Sequence, residues 1–251
     1  MIRILVVDDV KEIVEVVKYI LEESNPGFTV DCALSVEEAL IHIKKHEYDV
    51  IISDYYMPEA TGLDLLKQIR AMNMTIPFII QTGQGDSANA TEALQNGADF
   101  FFEKGSEGPL QFLEFTQIIN LLVSKRRKEI ALNQNILKYR QLFELHREGL
   151  IFVNNEDIIQ EVNTSFSEII EKNPSEIIGK RFQDIMVDKH GLYAPDLKKQ
   201  AYDKGRSNEI NTEVLIPDGK RLKLLISALA VKNDQNELVG MWILIREGIF
   251  G

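Results

Sequence analysis

Cysteine is almost missing from this chain: one residue, Cys32, in 251. That excludes an internal disulfide and any metal site built from several thiolates. Basic charge is also short, with 28 Lys and Arg against 39 Asp and Glu for a formal net charge of −11. No cationic excess exists to displace counterions from a nucleic-acid backbone. The one basic cluster, Lys125-Arg126-Arg127-Lys128, continues into Glu129 and reads as a solvated helix face. No apolar run approaches the ~18 residues of a membrane-spanning helix, and MIRILVVDD lacks a signal-peptide layout. A soluble, cytoplasmic protein that binds neither nucleic acid nor membrane is expected. Hydrophobic content of 45% and charged content of 27% are ordinary for globular protein, and the length allows one large domain or two of usual size. Cys32 lies in an alternating segment and reads as a buried structural thiol.

Two textures follow one another. Up to about residue 105, IRILVV, FTVDCAL, DVIIS, IPFIIQ and ADFFFE read as five strands. VKEIVEVVKYILEES, SVEEALIHIKKH, GLDLLKQIRAM and DSANATEALQNG read as the helices between them, at period 3.6. Ser35 and Glu38 fit a capping box, and Asn96-Gly97 a helix end. Strand–helix alternation with near-continuous apolar strands predicts a parallel sheet covered by helices on both faces. From Pro109 to about His146 one long helix is expected, interrupted at most near Ser124. Phe115, Ile118, Leu122, Leu132, Ile136, Tyr139 and Phe143 form its apolar stripe. The first half should pack on its own domain and the second form a dimer seam. After Gly149, short alternating strands broken by Asp-Gly and Asn-rich turns predict antiparallel hairpins and a second, α+β domain.

The five predicted strands end in chemistry. Asp8 and Asp9 close the first strand, Asp54 the third, Thr82 the fourth and Lys104 the fifth. On a parallel sheet these ends share one rim, where α/β folds build their sites. Uncompensated carboxylates there would raise one another's pKa. A hard divalent cation such as Mg²⁺ removes that penalty and keeps waters that a phosphoryl oxygen can replace. Asp54 then stays ionised and can attack phosphorus. Lys104 offers charge and Thr82 a hydroxyl to the equatorial oxygens, with Gly83 leaving the approach clear. Taken singly, an Asp-Asp pair is turn chemistry, a strand-end Thr is nothing and a lone Lys is surface. Their joint placement points to a phosphoryl site.

Residues 1–122 resemble a response-regulator receiver domain of doubly wound, flavodoxin-like fold. The marks are LVVDD, D-x-x-M-P-x-x-x-G from Asp54 to Gly62, Thr82-Gly83, and Gly97-Ala98-Asp99 leading to Lys104. The resemblance implies that Asp54 is the phosphoacceptor for a histidine kinase. It implies Mg²⁺ on Asp9, Asp54 and the Tyr56 backbone carbonyl, with Asp8 acting through water, and phosphoryl oxygens held by Thr82 and Lys104. Phe101 falls at the family's switch aromatic, moving with Thr82 on phosphorylation; packing within Phe100-Phe101-Phe102 is the plainer alternative. One departure stands out: Gly105, not proline, follows Lys104, leaving the geometry of that peptide bond open. Tyr56 and Gln84 flank the site and could govern water access, hence the acyl phosphate's lifetime.

Residues 140–251 resemble a PAS domain. The cues are a leading helix, a hairpin, Val162-Asn163 with Phe166, Ile178-Gly179-Lys180, and a closing GMWILIRE strand. Residues 123–146 are expected to be a signalling helix or coiled-coil linker. Without a cysteine in the second domain, covalent flavin or chromophore attachment is excluded. His190 reads as an exposed loop residue rather than a haem ligand, and Trp242, Phe166 and Phe182 as core fillers. The PAS ligand stays unknown, with a small-molecule pocket and plain dimerisation both open.

The expected function is two-component phosphorelay signalling, with no separate catalytic domain and slow self-dephosphorylation. Output would pass through the helix and PAS domain to protein partners, as a homodimer. One alternative is the sensory front of a longer histidine kinase. Another is an aspartate-nucleophile phosphatase, disfavoured because Tyr56 stands where a second, general-acid Asp would be needed.

Overall fold

The computed structural model describes residues 1–83, 87–103, 108–188, 195–216 and 219–248, with backbone alone at 87–88, 108–113, 187–188 and 195–196. The chain divides into two compact units, Met1–Asn133 and Gln134–Gly251.

In the first unit, strands β1 (Ile2–Val7), β2 (Phe28–Ala33), β3 (Val50–Asp54), β4 (Phe78–Thr82) and β5 (Phe100–Glu103) alternate with four helices. These are α1 (Lys11–Ser24), α2 (Val36–Lys45), α3 (Gly62–Ala71) and α4 (Ser87–Gln95). The strands form one parallel sheet in the order β2-β1-β3-β4-β5, so the expected doubly wound sheet is the one formed. Apolar residues at consecutive strand positions supply both of its faces. Leu5, Ile51, Phe78 and Ile80 pack with α2, α3 and α4. Ile4, Val6, Ile52 and Ile79 pack with Val14 and Leu21 of α1 and with Phe115, Ile119 and Val123. Those last three belong to α5 (Gly108–Leu145), a single helix of 38 residues unbroken at Ser124.

Several local expectations need correcting. The buried stripe of α5 runs Phe115, Ile119, Val123, while Ile118 and Leu122 are only partly buried. Nor is the basic cluster wholly solvated. Arg127 Nη2 donates to the Met1 carbonyl and to Asp49 Oδ1, each at 2.8 Å, and Arg126 Nη1 donates to the Tyr48 carbonyl at 3.2 Å. The Ser35 hydroxyl caps α2 at Glu38 N, but Glu38 reaches back to Leu34 N rather than to Ser35. A full reciprocal box sits instead at Thr61 and Asp64, opening α3. Helix α4 ends as read: Gly97 adopts φ 92°, its N–H donates to the Leu94 carbonyl, and the Asn96 side chain donates to the Glu92 carbonyl. Cys32 is half-buried, its thiol facing the Val14 carbonyl.

In the second unit, β6 (Gly149–Asn154) and β7 (Ile159–Val162) form the expected hairpin. Helices α6 (Thr164–Ile170), α7 (Pro174–Ile177) and α8 (Phe182–Ile185), strand β8 (Val187–Asp188) and helix α9 (Pro195–Lys204) follow. Strands β9 (Ile210–Leu215), β10 (Arg221–Lys232) and β11 (Leu238–Glu247) complete an antiparallel sheet in the order β7-β6-β11-β10-β9-β8. Phe166 and Phe182 fill the core with Ile151, Leu224, Met241 and Ile243. Trp242 does not. Alternation along β11 buries Met241 and Ile243 and sends Trp242 to the other face, against Phe152 at 5.0 Å and Phe143 at 5.6 Å between ring centroids. Phe143 is itself buried and Tyr139 stacks on it. These two members of the expected dimer seam therefore lie against their own sheet.

Candidate functional site

Strands β1 and β3 are neighbours, yet the chain leaves them in opposite directions, towards β2 and β4. The loops beyond their carboxyl ends diverge and leave a crevice, the usual ligand position of a doubly wound sheet. Acids occupy both loop starts. Val7 pairs with Ser53, so Asp8 and Asp54 follow one another at the same level. Asp54 pairs with Gln81, and Thr82 with Glu103, which brings Thr82 to the same edge. Asp8, Asp54 and Thr82 are 2%, 9% and 0% exposed, whereas Asp9 is exposed. Lys104, Gln84, His190 and the Lys104–Gly105 bond lie outside the described residues; β5 ends at Glu103, immediately before Lys104.

Short bonds fix the loops. Asp8 Oδ1 accepts from the Val10 N–H at 3.0 Å, tying one carboxylate oxygen to the turn into α1. The Ser53 hydroxyl donates to the Asp54 carbonyl at 2.9 Å. Tyr55 N–H donates to the Gln81 carbonyl at 2.8 Å, and Gly62 N–H to the Tyr55 carbonyl at 2.9 Å. A Cβ at Gly62 would stand 2.1 Å from the Asp54 carbonyl oxygen, so only glycine lets α3 start this close to β3. The Tyr56 ring meets Tyr55 edge-on at 4.9 Å, and its phenol accepts from Asn89 Nδ2 at 2.6 Å. Thr82 Oγ1 makes a long bond of 3.3 Å to the Gly83 carbonyl, and a Cβ on Gly83 would meet nothing within 4 Å. Phe101 is half-buried opposite Ile80.

Among the described residues, no three acid, histidine or cysteine side chains cluster tightly enough to cage an ion. Two buried aspartates at a crevice, with an exposed third, suit a cation that takes few protein oxygens and keeps its waters. Mg²⁺ is such an ion; a thiolate–imidazole zinc site or a many-oxygen calcium cage is not what these donors build.

Residues 4–111 match the response regulator receiver domain and residues 147–247 match the PAS domain. The chain joins a receiver domain to a PAS domain. Two curated relatives are response regulators or transcriptional regulators by name. The transcriptional regulatory protein DltR of Streptococcus agalactiae is 27% identical over 180 residues, covering 71% of this chain and 76% of DltR. The response regulator SaeR of Staphylococcus aureus is 27% identical over 158 residues, covering 63% of this chain and 66% of SaeR. Among solved structures, the receiver domain of Francisella response regulator 1452 is 32% identical with a TM-score of 0.46, covering 50% of this chain and 99% of its own. A PAS domain from Colwellia psychrerythraea is 15% identical with a TM-score of 0.39, covering 45% and 97%. Receiver domain and relatives together make this a two-component phosphorelay signalling protein.

The PAS domain has its own polar centre. Asn163 is fully buried. Its Oδ1 accepts from Leu150 N and Phe166 N, at 2.8 and 3.0 Å. Its amide donates to the Phe143 and Glu148 carbonyls at 3.1 and 2.9 Å. One side chain thus caps α6 and ties down the end of α5. On the outer sheet face an open apolar groove of about 270 Å³ is lined by Tyr139, Leu142, Phe143, His146, Leu150, Leu229, Trp242 and Leu244. No helix among the described residues is long and apolar enough to cross a membrane. Sequence reasoning missed Asn89, whose partner is 33 residues away. It also passed over the Ser53 hydroxyl, although Ser53 directly precedes the acid.

Proposed function

We propose that Asp54 of the receiver domain accepts a phosphoryl group from a phosphohistidine of a histidine kinase. A carboxylate oxygen of Asp54 attacks phosphorus; the O–P bond forms as the N–P bond breaks, and the bonding pair leaves on the imidazole nitrogen. The observation behind this reading is the burial of Asp8 and Asp54 at the β1/β3 crevice, with Thr82 on the same edge. Asp9, Asp54 and the Tyr56 carbonyl would hold Mg²⁺, with Asp8 acting through water. When bound, the ion offsets the acidic rim's charge and that of the phosphoryl oxygens. Thr82 and Lys104 would hold those oxygens. The present Thr82 bond is long enough that turning the hydroxyl towards phosphate sacrifices little.

Movement of Thr82 and Phe101 would then alter the face formed by α4 and β5 and, through α5, the PAS domain and its protein partners. Slow hydrolysis by water returns Asp54 to its starting state. A cytoplasmic homodimer is part of the same reading. On α5, Leu132 and Ile136 are 60% and 44% exposed and have no ring contact of the kind that holds Tyr139 and Phe143 to each other and to Trp242, which supports a seam at the former pair. Replacing both with Asp should shift the chain to monomer in sedimentation; unchanged mass would remove the seam.

Incubation with acetyl phosphate and Mg²⁺ tests the central reading by intact mass. The wild-type chain should gain one phosphoryl group, and Asp54→Asn none. A wild-type chain that gains nothing, or a variant that gains as much, refutes the assignment.

A further inference from the structure

We propose that His42 and His46 form a binding site for a transition-metal cation that favours imidazole, such as Zn²⁺, with Tyr48 as the positioning residue behind it. The two histidines stand four residues apart at the end of α2, the spacing that puts two imidazoles on one helix face. His46 closes the helix by donating its N–H to the His42 carbonyl at 2.9 Å, and the ring centroids lie 6.4 Å apart. Such a pair alone reflects only helix spacing. What sets this one apart lies behind His42.

The buried Tyr48 donates its hydroxyl proton to Asp31 Oδ2 at 2.8 Å, and Arg3 Nε donates to the same oxygen at 2.8 Å. Burial raises the Asp31 pKa, but these two bonds hold it below its ordinary value, so Asp31 only accepts. With its one proton committed to Asp31, the Tyr48 oxygen must accept from His42 Nδ1, 3.2 Å away. That assigns the Nδ1–H tautomer and leaves a lone pair on His42 Nε2. Metal-binding histidines are prepared in this way, the second ring nitrogen donating to an oxygen that fixes ring and tautomer.

Zn–N bonds of about 2.0–2.1 Å in a tetrahedral array set two ring centroids about 5 Å apart. The exposed His46 ring closes the remaining gap of roughly 1 Å by turning inward, a movement open to a surface side chain. Waters complete the shell, since among the described residues no third acid, histidine or cysteine makes the pair a cage. Mg²⁺ prefers carboxylate oxygen and water, so it does not compete for the imidazoles. Tyr48 precedes β3 and Asp54 ends it, which puts this site at the other end of the strand from the carboxylate crevice.

The test is calorimetric titration of the full chain with Zn²⁺ near neutral pH, in the presence of excess Mg²⁺. His46→Ala, a change at an exposed position, should weaken binding about tenfold or more. Tyr48→Phe, which keeps the buried ring and removes only the hydroxyl, should weaken it about tenfold, because His42 loses the partner that orients it. NMR of the ring nitrogens in the zinc-free chain should show the proton on His42 Nδ1, and a shift of that proton towards Nε2 in Tyr48→Phe. Unchanged affinity in His46→Ala would place the ion elsewhere and overturn the site. Affinity lost in His46→Ala but kept in Tyr48→Phe would leave an adventitious surface pair and overturn the prepared one. A wild-type chain that binds no Zn²⁺ overturns both.

Discussion

The Gly62 position leaves no room for even one methyl group beside the Asp54 carbonyl. Gly62→Ala should therefore cost about 1–3 kcal/mol of stability in urea unfolding and displace the acceptor loop enough to lower phosphorylation. Asp31 carries a prediction of another kind. Burial pushes its pKa up, but hydrogen bonds from Tyr48 and Arg3 outweigh that and hold it below the ordinary 3.8. Because the folded value lies below the unfolded one, the stabilisation is complete above pH 3.8 and fades as pH falls through the folded value. The acid limb of a melting profile should become shallower in Asp31→Asn; an identical limb would show that Asp31 contributes nothing there. At this scale Asp54 and Thr82 were readable because each closes an apolar strand and the strand ends share an edge. Asn89 was not, since the bond it makes depends on how α4 is set down. Trp242 misled because β11 is apolar on both faces, so alternation alone cannot say which one is inside.

Helix α5 shows where periodicity loses its phase. Ile118 and Ile119, then Leu122 and Val123, offer apolar residues at both the third and fourth positions. Only the placement of the sheet selects Phe115, Ile119 and Val123 for burial. The arginines that follow then act as a clip, for they reach Asp49 and two backbone carbonyls while Arg127 stays half exposed to water. Arg127→Ala should cost about 1 kcal/mol or less, because the pair with Asp49 is half exposed; most of the loss should disappear at high salt. At the start of α3, Thr61→Ala should cost about 1 kcal/mol by leaving the first turn uncapped, measured by denaturant midpoint. The T-x-x-D spacing is present in the sequence, but the helical segment GLDLLKQIRAM starts at Gly62 and leaves Thr61 outside it, so apolar periodicity alone does not show the cap.

Across the whole molecule the two units have separate cores. Phe166→Ala should remove about 3–5 kcal/mol from the PAS core while Asp54 still takes up a phosphoryl group, as seen by calorimetry and intact mass on one sample. The change of texture in the sequence, from strand–helix alternation to short hairpins, made this division readable. The size of the PAS helices α7 and α8 was not, since four-residue turns leave no periodic trace. The close of α4 has a consequence for how the protein ages. Asparagine followed by glycine is the pair most prone to lose its side-chain amide through attack by the next backbone nitrogen. At Asn96 that nitrogen is turned to the Leu94 carbonyl and the amide is held by Glu92. Conversion to aspartate or isoaspartate should therefore be rare while the receiver is closed and accelerate whenever this corner opens, leaving in old preparations a chemical record of the time each molecule has spent unfolded.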